Sequence, residues 1–279
     1  MKNPAYLFSR RHDSWDTIAR KLRSASGIAI FLDYDGTLTP IRRTPSDALL
    51  TPEAENILQE MAQLPGVQVA IVTGRSMEDI RRLVRVKKIE FAANHGFHIY
   101  KNGTEWIHPQ AATLTRVMSQ LCWILQTALV GFPKAYIENK QFTLSIHYRN
   151  VTPQHVRSLK SVVTKTVHSF DPTLQITRGK KVLEVRPQIS WGKGNAVLNM
   201  LHTDKPQRRR VSVFIGDDTT DEDVFRALRP MGITVRVGRS TSTNAQYYVK
   251  NVEAVMTVLR SIISLRRDLL PRRRLLAKP

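Results

Sequence analysis

The chain has 279 residues, 42% of them hydrophobic, and 43 Lys+Arg against 23 Asp+Glu give a formal charge of +20. That length admits one or two ordinary cores at roughly 150 residues per domain, and a single cysteine, Cys122, excludes an intramolecular disulfide. No apolar run approaches the ~18 residues a membrane helix needs, and the opening MKNPAYLFSRRHDSWD has no signal-peptide pattern, so the expectation is a soluble, cytoplasmic monomer with no membrane partner.

In chain order, helical stretches are expected at about 15–24, 52–63 and 76–85, alternating with two apolar runs. These runs are Ile28–Tyr34, ending in Asp35-Gly36-Thr37, and Val67–Val72, ending in Thr73-Gly74-Arg75. A third run, Val211–Ile215, precedes Gly216-Asp217-Asp218, with helices expected at 193–202, 220–228 and 251–266. Near-continuous apolar runs of this length suit strands buried on both faces of a parallel sheet. Strands alternating with helices imply right-handed crossovers and a doubly wound α/β sheet of Rossmann-like type. Ligands bind such sheets beyond the carboxyl ends of the strands, where all three polar clusters fall.

The middle of the chain reads differently. Leu114, Val117, Leu121, Leu125 and Ala128 recur at helical spacing, as do Val156, Leu159, Val163, Val167 and Phe170. Each helix is followed by two strands, Ala135–Glu138 with Phe142–Arg149 and Leu174–Thr177 with Lys181–Arg186. The order α-β-β-α-β-β predicts an α+β module, an antiparallel sheet with two helices on one face. It divides the chain into core residues 1–105, an inserted cap at 106–190 and a second core part at 191–279. Cys122, within Leu121-Cys122-Trp123-Ile124-Leu125, is expected to be a buried, inert thiol.

The chemistry concentrates at Asp33-Tyr34-Asp35-Gly36-Thr37. Of two carboxylates two residues apart, the first can attack phosphorus and the second can protonate a leaving alkoxide and later activate water. Asp217 and Asp218 add the oxygens that a hard divalent cation requires. The basic runs Arg81–Lys88, Arg208–Arg210 and Arg266–Lys278 raise nucleic-acid binding as a rival reading. They lack interleaved aromatics, so a solvated surface that attracts anionic substrates is expected instead, with no specific nucleic-acid partner.

Four signatures in order resemble the haloacid dehalogenase superfamily: Asp33-x-Asp35-Gly36-Thr37, Thr73-Gly74-Arg75, Lys193 in Trp191-Gly192-Lys193-Gly194, and Gly216-Asp217-Asp218-x-x-Asp221. Asn94-His95-Gly96, Gly179–Pro187 and Gly216–Phe225 narrow the resemblance to the trehalose-6-phosphate phosphatases. The resemblance implies hydrolysis of trehalose 6-phosphate through an aspartyl-phosphate, with Asp33 as nucleophile and Asp35 as general acid/base. It implies Mg²⁺ held by Asp33, Asp217 and the backbone carbonyl of Asp35, with Asp218 and Asp221 orienting its waters and supporting Lys193. Thr73 and Lys193 would hold the phosphoryl oxygens, with Asn94 and His95 nearby. Arg75 is expected to pair with a core carboxylate, Asp223 to complement a helix dipole, and Trp191 to pack at the domain hinge.

Strand alternation places Phe142, Leu144, Ile146 and Tyr148 on one face and Thr143, Ser145, His147 and Arg149 on the other. Lys180, Glu184 and Arg186 share a parity on the last cap strand, opposite Leu183 and Val185, with Glu138 and Lys140 at the intervening turn. Matching positions in the family contact the disaccharide, which nominates Glu138, Lys140, Arg149, Lys180 and Glu184. A related sugar phosphate, of the sucrose or glucosylglycerol type, is the nearest alternative substrate.

Overall fold

The computed structural model describes residues 4–9, 14–42, 44–202 and 210–269; Arg208, Arg209 and the basic tail beyond 269 lie outside the described residues. The chain forms two compact units, Met1–Glu105 with Trp191–Pro279, and Trp106–Ser190.

The first unit contains β1 (Ala5–Tyr6), α1 (Ser14–Ser24), β2 (Gly27–Leu32), α2 (Pro52–Gln63), β3 (Val67–Val72), α3 (Met77–Leu83), β4 (Ile89–Ala93), β5 (His98–Lys101) and β6 (Thr104–Ile107), the last running into the second unit. The second unit contains α4 (Pro109–Thr113), α5 (Thr115–Ala128), β7 (Tyr136–Asn139), β8 (Leu144–His147), α6 (Pro153–Phe170), β9 (Leu174–Gly179) and β10 (Val182–Pro187). The chain then returns to the first unit with α7 (Lys193–His202), β11 (Arg210–Gly216), α8 (Glu222–Leu228), β12 (Gly232–Val237), β13 (Tyr247–Val249) and α9 (Val252–Arg267).

Among the described residues the first unit carries a nine-stranded sheet ordered β1-β13-β12-β11-β2-β3-β4-β5-β6. It is parallel from β1 through β4 and turns antiparallel at β5. Every residue of β2 is buried, as a central strand covered on both faces requires. Its alternate residues Ile28, Ile30 and Leu32 join Ile18 and Leu22 of α1, Leu58 and Met61 of α2 and Leu259 of α9 in one core. On β11, Val213 and Ile215 belong to that core, while Phe214 points the other way and meets Phe225 of α8 edge-on at 5.5 Å. Helices therefore cover both sheet faces, which makes the fold doubly wound. Thr51 caps α2 by accepting Ala54 N–H, with Pro52 at the first helical position. Such a cap is worth about 1 kcal/mol.

Strand order reverses between β2 and β11. From β2 the chain proceeds to β3 and β4 on one side, and from β11 to β12 and β13 on the other. The reversal opens a crevice at the carboxyl ends of these two neighbours. Asp33 follows β2 and Asp217 follows β11.

In the second unit the sheet order is β7-β8-β10-β9, with antiparallel pairing throughout. Leu144, Ile146, Leu183 and Val185 face Leu121 and Leu125 of α5 and Leu159, Val163 and Val167 of α6. Each fully buried aliphatic side chain contributes about 1.5–3 kcal/mol. Cys122 sits in this core as a free thiol, and burial pushes its pKa up.

Candidate active site

The residues after β2 fold into a tight loop. Tyr34 carbonyl accepts the N–H groups of Leu38 and Thr39, and Gly36 N–H donates to Thr39 carbonyl at 2.7 Å. Gly36 has φ +89°, and a Cβ there would land on the carboxylate of Asp217. Glycine is thus needed for both the turn and the close approach of the Asp217 side chain.

Asp33 is buried, and Lys193, the first residue of α7, donates to its Oδ1 at 2.7 Å. The same ammonium donates to Asp221 Oδ1 at 2.7 Å. Asp221 Oδ2 accepts the backbone N–H groups of Asp217 and Asp218 at 2.9 and 3.0 Å. Asp221 is fully buried and both its oxygens are engaged. Burial alone would push the Lys193 ammonium down, but Asp221 and Asp33 outweigh it and hold the pKa above its ordinary value. Burial drives the Asp33 carboxyl well above its usual range; Lys193 pulls it back, and Asp221 and Asp217 push it further up.

Carboxylate oxygens of Asp33, Asp217 and Asp221 lie within 4.8 Å of one another. Three buried carboxylates against one ammonium leave two negative charges uncompensated when all are ionised, a deficit that a divalent cation removes. Hard cations prefer such oxygen donors. Asp221 already holds the ammonium and two amides, so Asp33 and Asp217 are the better-placed ligands. Asp218 does not join the ammonium cluster; its side chain caps the turn Thr219–Asp221 reciprocally with Asp221.

Thr73 is buried at the end of β3, where its hydroxyl accepts Arg75 N–H at 3.2 Å. Asn94 and His95 follow β4 with φ of 52° and 56°. Asn94 N–H donates to Arg75 carbonyl and His95 N–H to Thr73 carbonyl, tying this turn to the end of β3. The His95 ring lies against Gly74, where a Cβ would come within 2.6 Å of it. Arg75 pairs with Asp35 and Asp79. Asp223 does more than complement its own helix: its carboxylate also accepts Gly194 N–H in the first turn of α7, at 3.1 Å. Trp191 donates its indole N–H to Gly96 carbonyl at 2.9 Å, a contact within the first unit.

In the second unit Glu138, Ser145 and Glu184 are directly paired across β7, β8 and β10. Lys140 Nζ approaches Glu184 Oε1 at 3.3 Å and Glu138 at 4.0 Å, and Ser145 Oγ donates to Glu184 Oε1 at 2.7 Å. Glu138 lies within β7, which runs one residue further than expected, to Asn139, and Lys140 follows the strand. Arg149 and Lys180 form a separate pair at the other end of the hairpin, with Arg149 donating to Lys180 carbonyl at 2.7 Å. Sequence reasoning placed His147 on the polar face without a role. Its ring stacks on Tyr136 with centroids 4.4 Å apart, and its Nε2 lies 3.0 Å from Glu138. The register of β7 on β8, which parity alone does not give, places His147 and Tyr136 directly opposite each other.

Comparison with known proteins is consistent over most of the length. A family model described as trehalose-phosphatase matches residues 31–253. The chain is 35% identical over 254 residues to trehalose-phosphate phosphatase B of Arabidopsis thaliana, covering 86% of this chain and 67% of that one. Among solved structures it resembles a trehalose-6-phosphate phosphatase related protein, with TM-score 0.75, 25% identity and coverage of 85% and 97%. It shares the fold of the C-terminal domain of a Candida albicans trehalose-6-phosphate phosphatase, with TM-score 0.77, 23% identity and coverage of 94% and 98%.

Proposed function

The chain belongs to the trehalose-phosphatase family and is a phosphatase, and from that premise we propose that it hydrolyses trehalose 6-phosphate by way of an aspartyl-phosphate at Asp33. The observation that carries this reading is the Asp33–Lys193–Asp221 cluster beside Asp217 at the sheet's reversal point. An Asp33 oxygen bonds to phosphorus as the bond from phosphorus to the sugar oxygen breaks, and Asp35 gives that oxygen a proton. Water then bonds to phosphorus and yields a proton to Asp35 while the bond to Asp33 breaks, releasing phosphate. Lys193 and Thr73 hold the phosphoryl oxygens, where charge spreads during transfer. Asn94 and His95 lie near the same strand ends as supporting contacts. Mg²⁺ would be held by Asp33, Asp217 and the Asp35 carbonyl, with Asp218 and Asp221 behind it. When bound, it supplies charge stabilisation to the phosphoryl group.

We assign recognition of the sugar to the second unit, acting as a cap. Glu138, Lys140 and Glu184 present both charge signs from one sheet face, and Arg149 and Lys180 extend the set. Charged side chains bind hydroxyls with about 1.5–3 kcal/mol each. The test is phosphate release from trehalose 6-phosphate beside sucrose and glucosylglycerol phosphates and p-nitrophenyl phosphate. Trehalose 6-phosphate should show the highest kcat/KM, and equal turnover of the other disaccharide phosphate would sink the sugar assignment. Glu184→Ala should cost roughly 10–100-fold in kcat/KM for trehalose 6-phosphate and leave p-nitrophenyl phosphate within about threefold. Parallel loss of both would make Glu184 a structural support, and no loss of either would move the sugar site elsewhere.

Two of the five basic residues at Arg81–Lys88 have partners on the protein's own surface. Arg81 bonds Glu105 and lies over the Tyr100 ring, and Arg82 bonds Asp79. Binding to DNA or RNA should therefore be weak, indifferent to sequence and lost as salt rises toward about 200 mM. Tight, sequence-selective binding at that salt would restore the nucleic-acid reading. No described helix is long and apolar enough to cross a membrane.

A further inference from the structure

Arg75 is 5% exposed, and a buried guanidinium needs partners for its fork of donors. Three separate pieces of chain supply them. Nε and Nη2 donate to the two oxygens of Asp35, each at 2.7 Å. Nη2 also donates to Pro45 carbonyl at 2.8 Å, and Nη1 donates to Asp79 at 2.5 Å. The guanidinium carbon lies 5.1 Å from the centre of the Tyr34 ring. Asp79 is itself anchored, since its N–H donates to the Ser76 side chain at the start of α3 and its second oxygen accepts from Arg82. Arg75 is therefore fixed from the helix side. The Asp35 side chain, 40% exposed, takes its orientation from Arg75.

We infer that Arg75 is the positioning residue for Asp35, setting the plane and reach of the carboxylate that moves protons in both half-reactions. The inference rests on the acid/base role proposed for Asp35 above. An exposed aspartate has two free side-chain torsions, and a planar guanidinium bonded to both oxygens removes that freedom. A lysine keeps the charge but cannot reproduce the two parallel bonds. Displacing a catalytic group by about 1 Å can cost on the order of 10²-fold.

p-Nitrophenyl phosphate separates this role from simple support of the fold, because nitrophenolate leaves without a proton. Its burst reports transfer of the phosphoryl group to Asp33. Its steady state reports attack by water, which needs Asp35 as base. Arg75→Lys should leave the burst rate within about threefold and lower the steady-state rate roughly 10–100-fold. Asp35→Asn should show a split of the same kind with a larger steady-state loss, about 10²–10⁴-fold, and Arg75→Lys added to it should cost less than about twofold more. Asp79→Asn, which removes the anchor and keeps the Arg75–Asp35 pair, should give a smaller split and serves if Arg75→Lys folds poorly. Burst and steady state falling together in both Arg75→Lys and Asp79→Asn would overturn the inference, as would fully additive losses in the double variant. Absence of a split in Asp35→Asn would remove the acid/base role and the inference with it. Failure to use trehalose 6-phosphate would overturn only the substrate, since the assay contains no sugar.

Discussion

Asp33→Asn should yield a folded protein whose turnover is lower by more than about 10⁴-fold. An amide oxygen cannot become the acyl-phosphate oxygen, so the covalent route closes outright. The fold should survive because the substitution exchanges a carboxylate for its neutral isostere. Burial and the neighbouring Asp221 and Asp217 outweigh Lys193 in their effect on Asp33 and disfavour its charge. Removing that charge costs one Lys193 ion pair and relieves repulsion in the cluster, while Lys193 keeps Asp221. Thermal unfolding should accordingly occur at or slightly above the wild-type temperature. Asp35→Asn should differ in kind and retain a trace of activity, since general acid–base help is worth about 10²–10⁴-fold. Mass spectrometry of acid-quenched enzyme should find a phosphate adduct on wild type and none on Asp33→Asn. A well-folded Asp33→Asn protein with wild-type turnover would end the covalent mechanism.

Exhaustive chelation should abolish turnover, Mg²⁺ should restore it, and other oxygen-seeking divalent ions should do so only weakly. The reason is the two negative charges left when three buried carboxylates face one ammonium. A cation that binds the folded state alone also stabilises it, by about 2.7 kcal/mol at a hundredfold excess over Kd. For a protein of this size each kcal/mol moves Tm by roughly 2–4 °C, so Mg²⁺ should raise Tm by about 5–10 °C. Asp217→Asn should lose most of that rise. Turnover that persists in chelator would remove the metal from the reaction, and a Tm rise undiminished in Asp217→Asn would place the ion elsewhere.

The central strands and the residues that follow them were legible because each strand is a short apolar run closed by a polar cluster. Val67–Val72 matches β3 in full, and burial on both faces is what makes such a run visible. Strand parity likewise anticipated that Leu183 and Val185 would face the helices. The outer strands were not legible. β1 is only two residues long, and β13 only three; neither offers a period to detect. Site chemistry divided along similar lines. Lys193 and Asp33 are 160 residues apart and meet at one hydrogen bond, which motif order suggested and spacing alone does not. The separation of Arg149 and Lys180 from Glu138, Lys140 and Glu184 escaped prediction, because parity sorts residues by face and says nothing of position along the strand.

Interruption of the first unit by the second has a consequence for how the protein is made. β2 pairs with β3 on one side and with β11 on the other, yet β11 begins at Arg210. During synthesis at about 5–20 residues per second, the nucleophile's strand waits roughly 10–40 s with one edge unpaired. That edge, GIAIFL, combines high β-propensity with no charge, the profile of a segment prone to pair with other chains. Such non-local closure is slow in any case, because loop entropy is lost before contacts repay it. Catalytic competence is thus a late folding event, and truncation between residues 73 and 209 leaves a product in which one edge of the uncharged β2 has no partner strand.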